Sequence, residues 1–261
     1  MGLVEREDLG PVTRLTLNAP ETLNALSSEV LSAIQATQNV LMDTTTCRVI
    51  ILRGAGKAFC AGHNLKEMQR MREGSNGGAV ELKALFDQCA EMMQTLPRLP
   101  QPVIAEVHGI ATAAGCQLVG SCDLAVAAEE TRFGVNGVNI GLFCSTPMVA
   151  LSRNIPRKKA FEMLVTGQFL DAATAMDQGL VNTDVPAHSL ETECLDLAER
   201  IAAKLGSAVK IGKRAFYEQI QMPLDQAYAF TGDVMVENML NRDTFEGVRA
   251  FNAKRDPQWD Q

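Results

Sequence analysis

Short apolar runs alternate with helix-like segments over the first half of this chain, and this alternation limits the possible folds more than any other feature. Four runs have the pattern of strands, and they are residues 12–18, 48–54, 102–109 and 123–130. Between them lie two segments with apolar residues at helical spacing, 27–43 and 79–96. Strands that alternate with helices favour parallel, right-handed βαβ units, so the sequence predicts an α/β fold.

The last third of the chain has a different pattern, because nearly every segment after residue 145 has helical spacing. The predicted helices are residues 158–166, 171–179, 189–205, 207–221 and 224–240. The sequence therefore predicts two parts, a β/α core over residues 1–195 and a helical C-terminal region over residues 196–261.

Composition argues against several classes of function. The chain has 24 Lys and Arg against 31 Asp and Glu, and the net charge of −7 is a poor match for nucleic acid. No stretch approaches the roughly 18 unbroken apolar residues of a membrane span, and the early charges of "MGLVEREDLG" do not fit a secretory leader. These features predict a cytoplasmic protein. The three histidines lie far apart, so no metal site is predicted.

Two segments share the order strand, small residues, helix. "AGKAFCAGHNLKEM" follows the strand at 48–54, and "IATAAGCQLVG" follows the strand at 102–109. Ligands bind beyond the carboxyl ends of strands in open parallel sheets, and a helix start offers unpaired N–H groups. The pattern fits an oxyanion hole, in which two N–H groups bind one oxygen. It also fits plain close packing of helix on strand, which requires the same small residues.

Four blocks of the sequence, taken in order, resemble the signature blocks of the enoyl-CoA hydratase/isomerase (crotonase) family. They are "NAPETLNAL", "GAGKAFCAGHNLKEM", "GIATAAGCQLVGSCDLAVA" and "RFGVNGVNIGLFCSTP". The resemblance covers almost the whole chain and implies a crotonase-like ββα spiral core with a helical C-terminal region that packs between the subunits of a homotrimer or hexamer. It also implies an acyl-CoA or enoyl-CoA thioester as substrate, a role in fatty-acid metabolism, and no cofactor beyond the coenzyme A of that substrate.

The resemblance assigns the two N–H donors to His63 and Ala114, which would polarise the thioester carbonyl. The residues that it implies for CoA binding are Ala61, His63, Asn64, Leu65, Lys66 and Ala114. The adenine would lie against the backbone near Ala61. Lys66 would approach a phosphate, or would simply be an exposed lysine.

The family usually has a basic residue where this chain has Glu21, so one phosphate contact is weakened. Lys213 and Arg214 are candidates to supply positive charge in its place, including across a subunit interface. The alternative interpretation is that these two side chains belong to a solvated helix face.

The carboxylates are the main departure from the family. A typical hydratase has glutamate at the positions of Gln117 and Gly137, where two carboxylates hold a water molecule and transfer its protons. Glutamine can position a water but cannot accept its proton, and glycine has no side chain. The resemblance therefore implies that ordinary hydration is very weak in this chain.

Three functions remain open at this point. The chain is a CoA-thioester lyase or isomerase that uses atypical proton-transfer groups, a non-catalytic acyl-CoA-binding protein, or a thioesterase in which Gln117 positions a water. His63 is a titratable candidate for the missing group, and Cys144 would act as a nucleophile only with a base or a lowered pKa. The remaining candidates are more typical of surface charges, and they are Glu67, Asp87 and Glu91.

Overall fold

Most of the strands form one large sheet in the computed structural model, which describes residues 2–259. The strands of this sheet are β1 Val4–Leu9, β2 Val12–Leu17, β3 Val49–Gly54, β4 Val103–Val107, β6 Leu124–Ala128 and β9 Thr183–Val185. They lie in the order β1-β2-β3-β4-β6-β9. The first two are antiparallel and all other neighbours are parallel, so the predicted parallel core is confirmed.

A second sheet is small and was not predicted from the sequence. Its strands are β5 Ile110–Thr112, β7 Arg132–Gly134 and β8 Leu170–Asp171. β5 and β7 are parallel, and β7 and β8 are antiparallel. An isolated parallel bridge between Cys60 and Ala111 joins this sheet to the loop that follows β3.

The described residues form eleven α-helices. They are α1 Ser28–Met42, α2 Leu65–Arg72, α3 Ala79–Arg98, α4 Ala114–Ser121, α5 Pro147–Asn154, α6 Arg157–Thr166, α7 Ala172–Asp177, α8 Leu190–Ala202, α9 Gly206–Gln219, α10 Leu224–Met239 and α11 Arg242–Asn252. Each predicted helix matches one of these within a few residues, whereas α11 was not predicted.

Side-chain caps explain where several helices begin. Ser27 accepts a hydrogen bond from the Val30 amide at the start of α1, and Asn64 accepts from the Lys66 and Glu67 amides at the start of α2. Such caps satisfy N–H groups that have no partner inside the helix. The cap at Asn64 fixes the point at which the loop after β3 becomes a helix.

The end of α3 differs from its prediction. The sequence pattern places the end before Pro97, but the helix continues to Arg98 with Pro97 in its last turn. Leu99, at φ −58° and ψ 137°, leaves the helical region and ends the helix.

Both faces of the large sheet are covered. Ile50 and Leu52 of β3 belong to the main core, together with residues of α1, α3 and α4, whereas Val49 and Ile51 face α8. Because alternate residues of a strand point to opposite faces, a strand buried on both sides has a continuous apolar run. This is why β3 and β4 are recognisable in the sequence.

The predicted start of the helical C-terminal region, residue 196, lies within α8. The buried face of α8 packs on the sheet through Leu190, Cys194, Ala198 and Ala202. The predicted boundary between residues 195 and 196 therefore falls inside a helix that belongs to the core.

Large apolar side chains are exposed along α9, α10 and α11. They include Phe216, Ile220, Leu224, Tyr228, Met235, Val236, Met239, Leu240, Phe245 and Phe251. Exposed apolar surface of this extent is typical of protein interaction sites.

Among residues 2–259, no helix combines the length and the apolar character that crossing a bilayer requires.

Candidate functional site

The loop after β3 runs between two other segments of backbone. The Phe59 amide donates to His108 O at 3.1 Å, and the Ala61 amide donates to Leu23 O at 3.0 Å. Further along, His63 forms an isolated parallel bridge with Leu26. These contacts hold the loop on both sides up to the start of α2.

The loop after β5 leads directly into α4. Thr112 ends β5, and the Ala113 amide donates to Gly134 O at 2.8 Å. Ala113 has φ 50° and ψ −118°, a conformation that few residues other than glycine adopt. This strained residue sets the direction of the Ala114 amide, which is the first of the helix.

The two loops touch each other through positions without side chains. A Cβ added at Gly115 would lie only 2.1 Å from Cys60 O. A Cβ added at Gly62, whose φ is +87°, would lie 2.9 Å from the Ala113 Cβ and 3.2 Å from the Ala114 amide nitrogen. The small residues therefore allow one loop to pack against the other, as the close-packing interpretation of the sequence predicts.

Two backbone N–H groups are left without partners where the loops meet. Leu26 forms its hydrogen bonds with the residues on either side of His63, because Leu26 N–H donates to Gly62 O and Asn64 N–H donates to Leu26 O. The His63 amide therefore points away from Leu26. The His63 and Ala114 amides form no hydrogen bond within residues 2–259. Ala114 is fully buried, and buried N–H groups in folded proteins are nearly always paired, so its unpaired amide beside that of His63 indicates a place for an acceptor atom.

The imidazole of His63 is held as a neutral ring. Its Nδ1 lies 3.3 Å from Leu26 O, which assigns the proton to Nδ1, and Nε2 is buried without a hydrogen-bond partner in the described part of the chain. Burial lowers the pKa of His63, and the Leu26 carbonyl and the charge of Glu67 offset this only in part. The ring packs edge-on against Phe86 at 5.4 Å.

Gln117 lies three residues after the Ala114 amide and is 5% exposed. The backbone N–H of Gln117 donates to Ala113 O in the first turn of α4. The side-chain carbonyl Oε1 is buried and has no partner within the described residues. It can accept a hydrogen bond from a ligand or a water, but it cannot take a proton.

Gly137 lies in a short 3-10 segment, Asn136–Ile140, and is buried. The residues that follow this segment, Leu142 to Cys144, fold back onto it. No carboxylate is present at residue 117 or at residue 137, the two positions at which the sequence resemblance implies glutamates.

Five of the six residues implied for CoA binding, Ala61 and residues 63–66, form a nearly continuous strip at the start of α2, whereas Ala114 begins α4. Leu65 and Lys66 are exposed, whereas Ala61 and Asn64 are half-buried. Asn64 uses its side chain as the helix cap, so its carboxamide oxygen is already engaged.

The other candidate groups are occupied or remote. Glu67 accepts from the Ser28 amide at 3.2 Å, and Asp87 and Glu91 are exposed and pair with Lys83 and Arg98. Burial raises the pKa of the Cys144 thiol, so the structure gives no support for a thiolate nucleophile.

Neither interpretation of Lys213 is correct. Its Nζ is buried and pairs with Asp123 at 2.7 Å, while also donating to the carbonyls of Leu96 and Gln101. It is therefore neither a solvated side chain nor a free charge for a phosphate. Arg214 is exposed and pairs with Glu237 at 2.7 Å.

One organising residue was missed by sequence reasoning. Asn24 is fully buried, and its side-chain NH₂ lies 2.8 to 3.2 Å from the carbonyl oxygens of Ala55, Ala58 and Phe59. Its φ of 55° is unusual for a residue other than glycine. An asparagine inside a block of apolar and turn residues was the only available signal.

Comparisons with known proteins point to one family. Residues 8–261 match the family model described as enoyl-CoA hydratase/isomerase. The mitochondrial enoyl-CoA hydratase domain-containing protein 3 of Xenopus laevis is 45% identical over 248 residues, which cover 95% of this chain and 83% of that protein.

Two solved structures are also similar. An enoyl-CoA hydratase from Mycobacterium smegmatis superposes with a TM-score of 0.96 at 47% identity and full coverage of both chains. Human enoyl-CoA hydratase domain-containing protein 3 superposes with a TM-score of 0.93 at 40% identity, with 98% of this chain and 99% of that chain covered. The predicted crotonase-like fold is thereby confirmed.

The similarity to domain-containing protein 3 agrees with two stretches of sequence, "GCQLVGSCD" and "VNIGLFCSTP", which resemble that branch. The same relatives overturn the predicted cytoplasmic location, because they are named mitochondrial. Charge near the start of the chain was too weak a signal for that prediction.

Proposed function

Because the chain belongs to the enoyl-CoA hydratase/isomerase family, we propose that it binds an acyl-CoA thioester and stabilises the enolate of that thioester. Family membership supports an enzyme of the crotonase type. The finer assignment is a CoA-thioester lyase or isomerase in fatty-acid metabolism that works without the two usual glutamates.

The observation that carries this proposal is the pair of unpaired amides on His63 and Ala114. Both would donate to the thioester oxygen, which gains negative charge as the α-C–H bond breaks and the enolate forms. The Nε2 of His63, which has no partner within the described residues, would accept that proton. Donors fixed in place before the reaction need no rearrangement, and losing one typically costs about 3 kcal/mol of barrier. The start of α4 adds a favourable dipole at the same point.

Hydration is disfavoured because nothing at Gln117 or Gly137 can accept a proton from water. A general acid–base group contributes roughly 10²- to 10⁴-fold to a rate, and both are missing here. The proposed chemistry is therefore limited to steps that the oxyanion hole itself assists.

Coenzyme A would lie along Ala61, Asn64, Leu65 and Lys66, with the adenine against the backbone near Ala61. The exposure of Leu65 and Lys66 supports this path. Coenzyme A belongs to the substrate in this proposal, and no separate cofactor is required.

A homotrimer or hexamer is proposed for the assembled protein. The exposed apolar side chains of α9 to α11 support it, because burying them against another subunit would remove apolar surface from water. Light scattering on the purified protein measures the molar mass, which distinguishes a monomer from a trimer or hexamer.

Two alternative functions are a thioesterase and a non-catalytic binding protein. The unpartnered Oε1 of Gln117 could orient a water toward the thioester carbonyl, which would make the protein a thioesterase. A chain that binds acyl-CoA and does nothing further would be a non-catalytic binding protein.

An Ala114→Pro variant tests the proposal. Proline is tolerated at the first position of a helix and has no N–H, so one donor is removed. Because proline also restricts the residue before it, thermal unfolding decides whether the variant keeps the conformation of Ala113 and α4. We expect wild type to bind butyryl-CoA by calorimetry and to exchange its α-protons for deuterium, measured by mass spectrometry. In the variant, exchange should fall by roughly 10²-fold or more.

An Ala114→Gly variant is the control, because it keeps the N–H and adds no atoms. Its exchange should stay near that of wild type, and thermal unfolding checks that both variants are folded. Wild type that does not bind butyryl-CoA contradicts the proposal. Binding without exchange favours the non-catalytic alternative, and release of free CoA favours the thioesterase.

A further inference from the structure

The segment Leu142–Cys144 packs against Gly137. The Leu142 amide donates to Gly137 O at 2.9 Å, and the Cys144 Sγ lies close to the Cα of Gly137. Gly137 is thus enclosed by residues that follow it closely in the chain.

Gly141 fixes the path of this segment. It has φ +77°, and its amide donates to Val138 O at 3.1 Å, while Leu142 reaches back to Gly137. These two hydrogen bonds form a Schellman closure, which requires a left-handed residue at the position of Gly141. The turn back toward Gly137 is therefore a defined structure.

No side chain fits at residue 137 while the segment holds this path. A Cβ added to Gly137 would lie 2.2 Å from Leu142 O and 2.9 Å from the Cys144 Sγ. The first of these is a backbone atom, which no change of rotamer can remove. A glutamate at this position would have to displace the segment.

We propose that the segment Leu142–Cys144 determines the reaction specificity of the site, by filling the space in which a second proton-transferring carboxylate would stand. This proposal rests on the proposed function. Weak hydratase activity would then result from the backbone path of this segment as well as from the residues at positions 117 and 137. The acyl group meets a neutral thiol and a carbonyl on this side, with no place for a carboxylate-bound water.

Restoring both glutamates tests the proposal. Gln117→Glu and the double variant Gln117→Glu/Gly137→Glu are assayed with crotonyl-CoA by loss of the enoyl absorbance. We expect the double variant to be no faster than the single one. A double variant more than tenfold faster overturns the proposal, because a second working carboxylate should contribute roughly 10²-fold or more.

A smaller change decides the matter if the double variant does not fold. Gly137→Ala adds only the Cβ, and Gly120→Ala is its control, because a Cβ there meets Ala150 at an ordinary 3.4 Å. We expect the Tm of Gly137→Ala to lie more than about 3 °C below that of the control. Equal Tm values for the two variants overturn the proposal.

Failure of the proposed function has a different signature. Wild type that does not bind butyryl-CoA contradicts the acyl-CoA assignment and leaves the Tm comparison unchanged. Wild type that binds, together with a fast double variant, contradicts only the role of the segment.

Discussion

The amide side of the site and its carboxylate side differ in what supplies their polar groups. On the amide side, His63 and Ala114 present backbone N–H groups from loops that touch through Gly62 and Gly115. On the carboxylate side, where the sequence resemblance implies two glutamates, this chain has a carboxamide at Gln117 and no side chain at Gly137. The amide side depends on the path of the backbone, and the carboxylate side depends on which residues stand at positions 117 and 137.

This difference would explain how a chain can keep the proposed amide half of the site without the carboxylate half. A backbone donor survives substitution of its own side chain, provided that the loop keeps its path. A proton-transferring carboxylate disappears with a single substitution. The amide side should therefore be sensitive to packing changes, and the carboxylate side should tolerate substitution without loss of binding.

The largest expected effect comes from separating the two loops. Gly115→Ala places a Cβ against the Cys60 carbonyl, and overpacking of this kind destabilises by roughly 1–3 kcal/mol. We expect the free energy of unfolding to fall by about that amount, with weaker binding of butyryl-CoA by calorimetry. Gly120→Ala in the same helix is the control and should change little, and equal effects of the two variants would break the comparison.

A smaller effect is expected on the carboxylate side. Gln117→Met keeps the length of the side chain and removes the buried Oε1 that has no partner in the described residues. Removing an unsatisfied polar atom should leave the free energy of unfolding unchanged or raise it by about 1 kcal/mol. The Kd for butyryl-CoA should stay within roughly threefold. A tenfold loss of affinity would mean that Gln117 contributes to ligand binding.

The smallest effect concerns pH and the ring of His63. Burial holds the pKa of the folded-state imidazole below its ordinary value of 6.5. As the pH falls below that value, the unfolded chain takes up a proton that the folded chain does not, so stability falls with pH until the folded-state pKa is passed. In His63→Gln, the drop in Tm between pH 7 and pH 5 should be smaller than in wild type.

The exposed His188 provides the control for this measurement. His188→Gln should keep the wild-type dependence of Tm on pH, and His63→Gln should still bind butyryl-CoA because the backbone amide is unchanged. An unchanged pH dependence in His63→Gln would show that the ring is not desolvated as described.

The sequence predicted elements whose signal is local. The cap Ser27 and the apolar spacing behind it predict α1, and the continuous apolar run of residues 48–54 predicts β3. β1 was missed because "VEREDL" carries four charges, and an edge strand exposes most of its residues. The second sheet was missed because strands of two or three residues have no periodicity to detect.

The two loops of the site were predictable from the sequence, but the contacts of individual side chains with residues distant in the chain were not. Small residues after two strands indicated loops that meet, and they do. Nothing local to Gly137 shows that Leu142 and Cys144 fill the space beside it, and nothing near Lys213 identifies its partner 90 residues earlier in the chain. Such contacts depend on tertiary packing and leave no periodic pattern.

The contact between Lys213 and Asp123 has a consequence for whether the two parts of the chain can fold apart. Asp123 also accepts hydrogen bonds from the Tyr217 hydroxyl and the Val103 amide, so α9 supplies two of its three partners. Removing α9 would leave a mostly buried carboxylate with only a backbone donor, a change that typically costs 3–5 kcal/mol. Truncation after residue 195 should therefore not release an autonomous smaller domain, and the core and α9 should unfold as one cooperative unit.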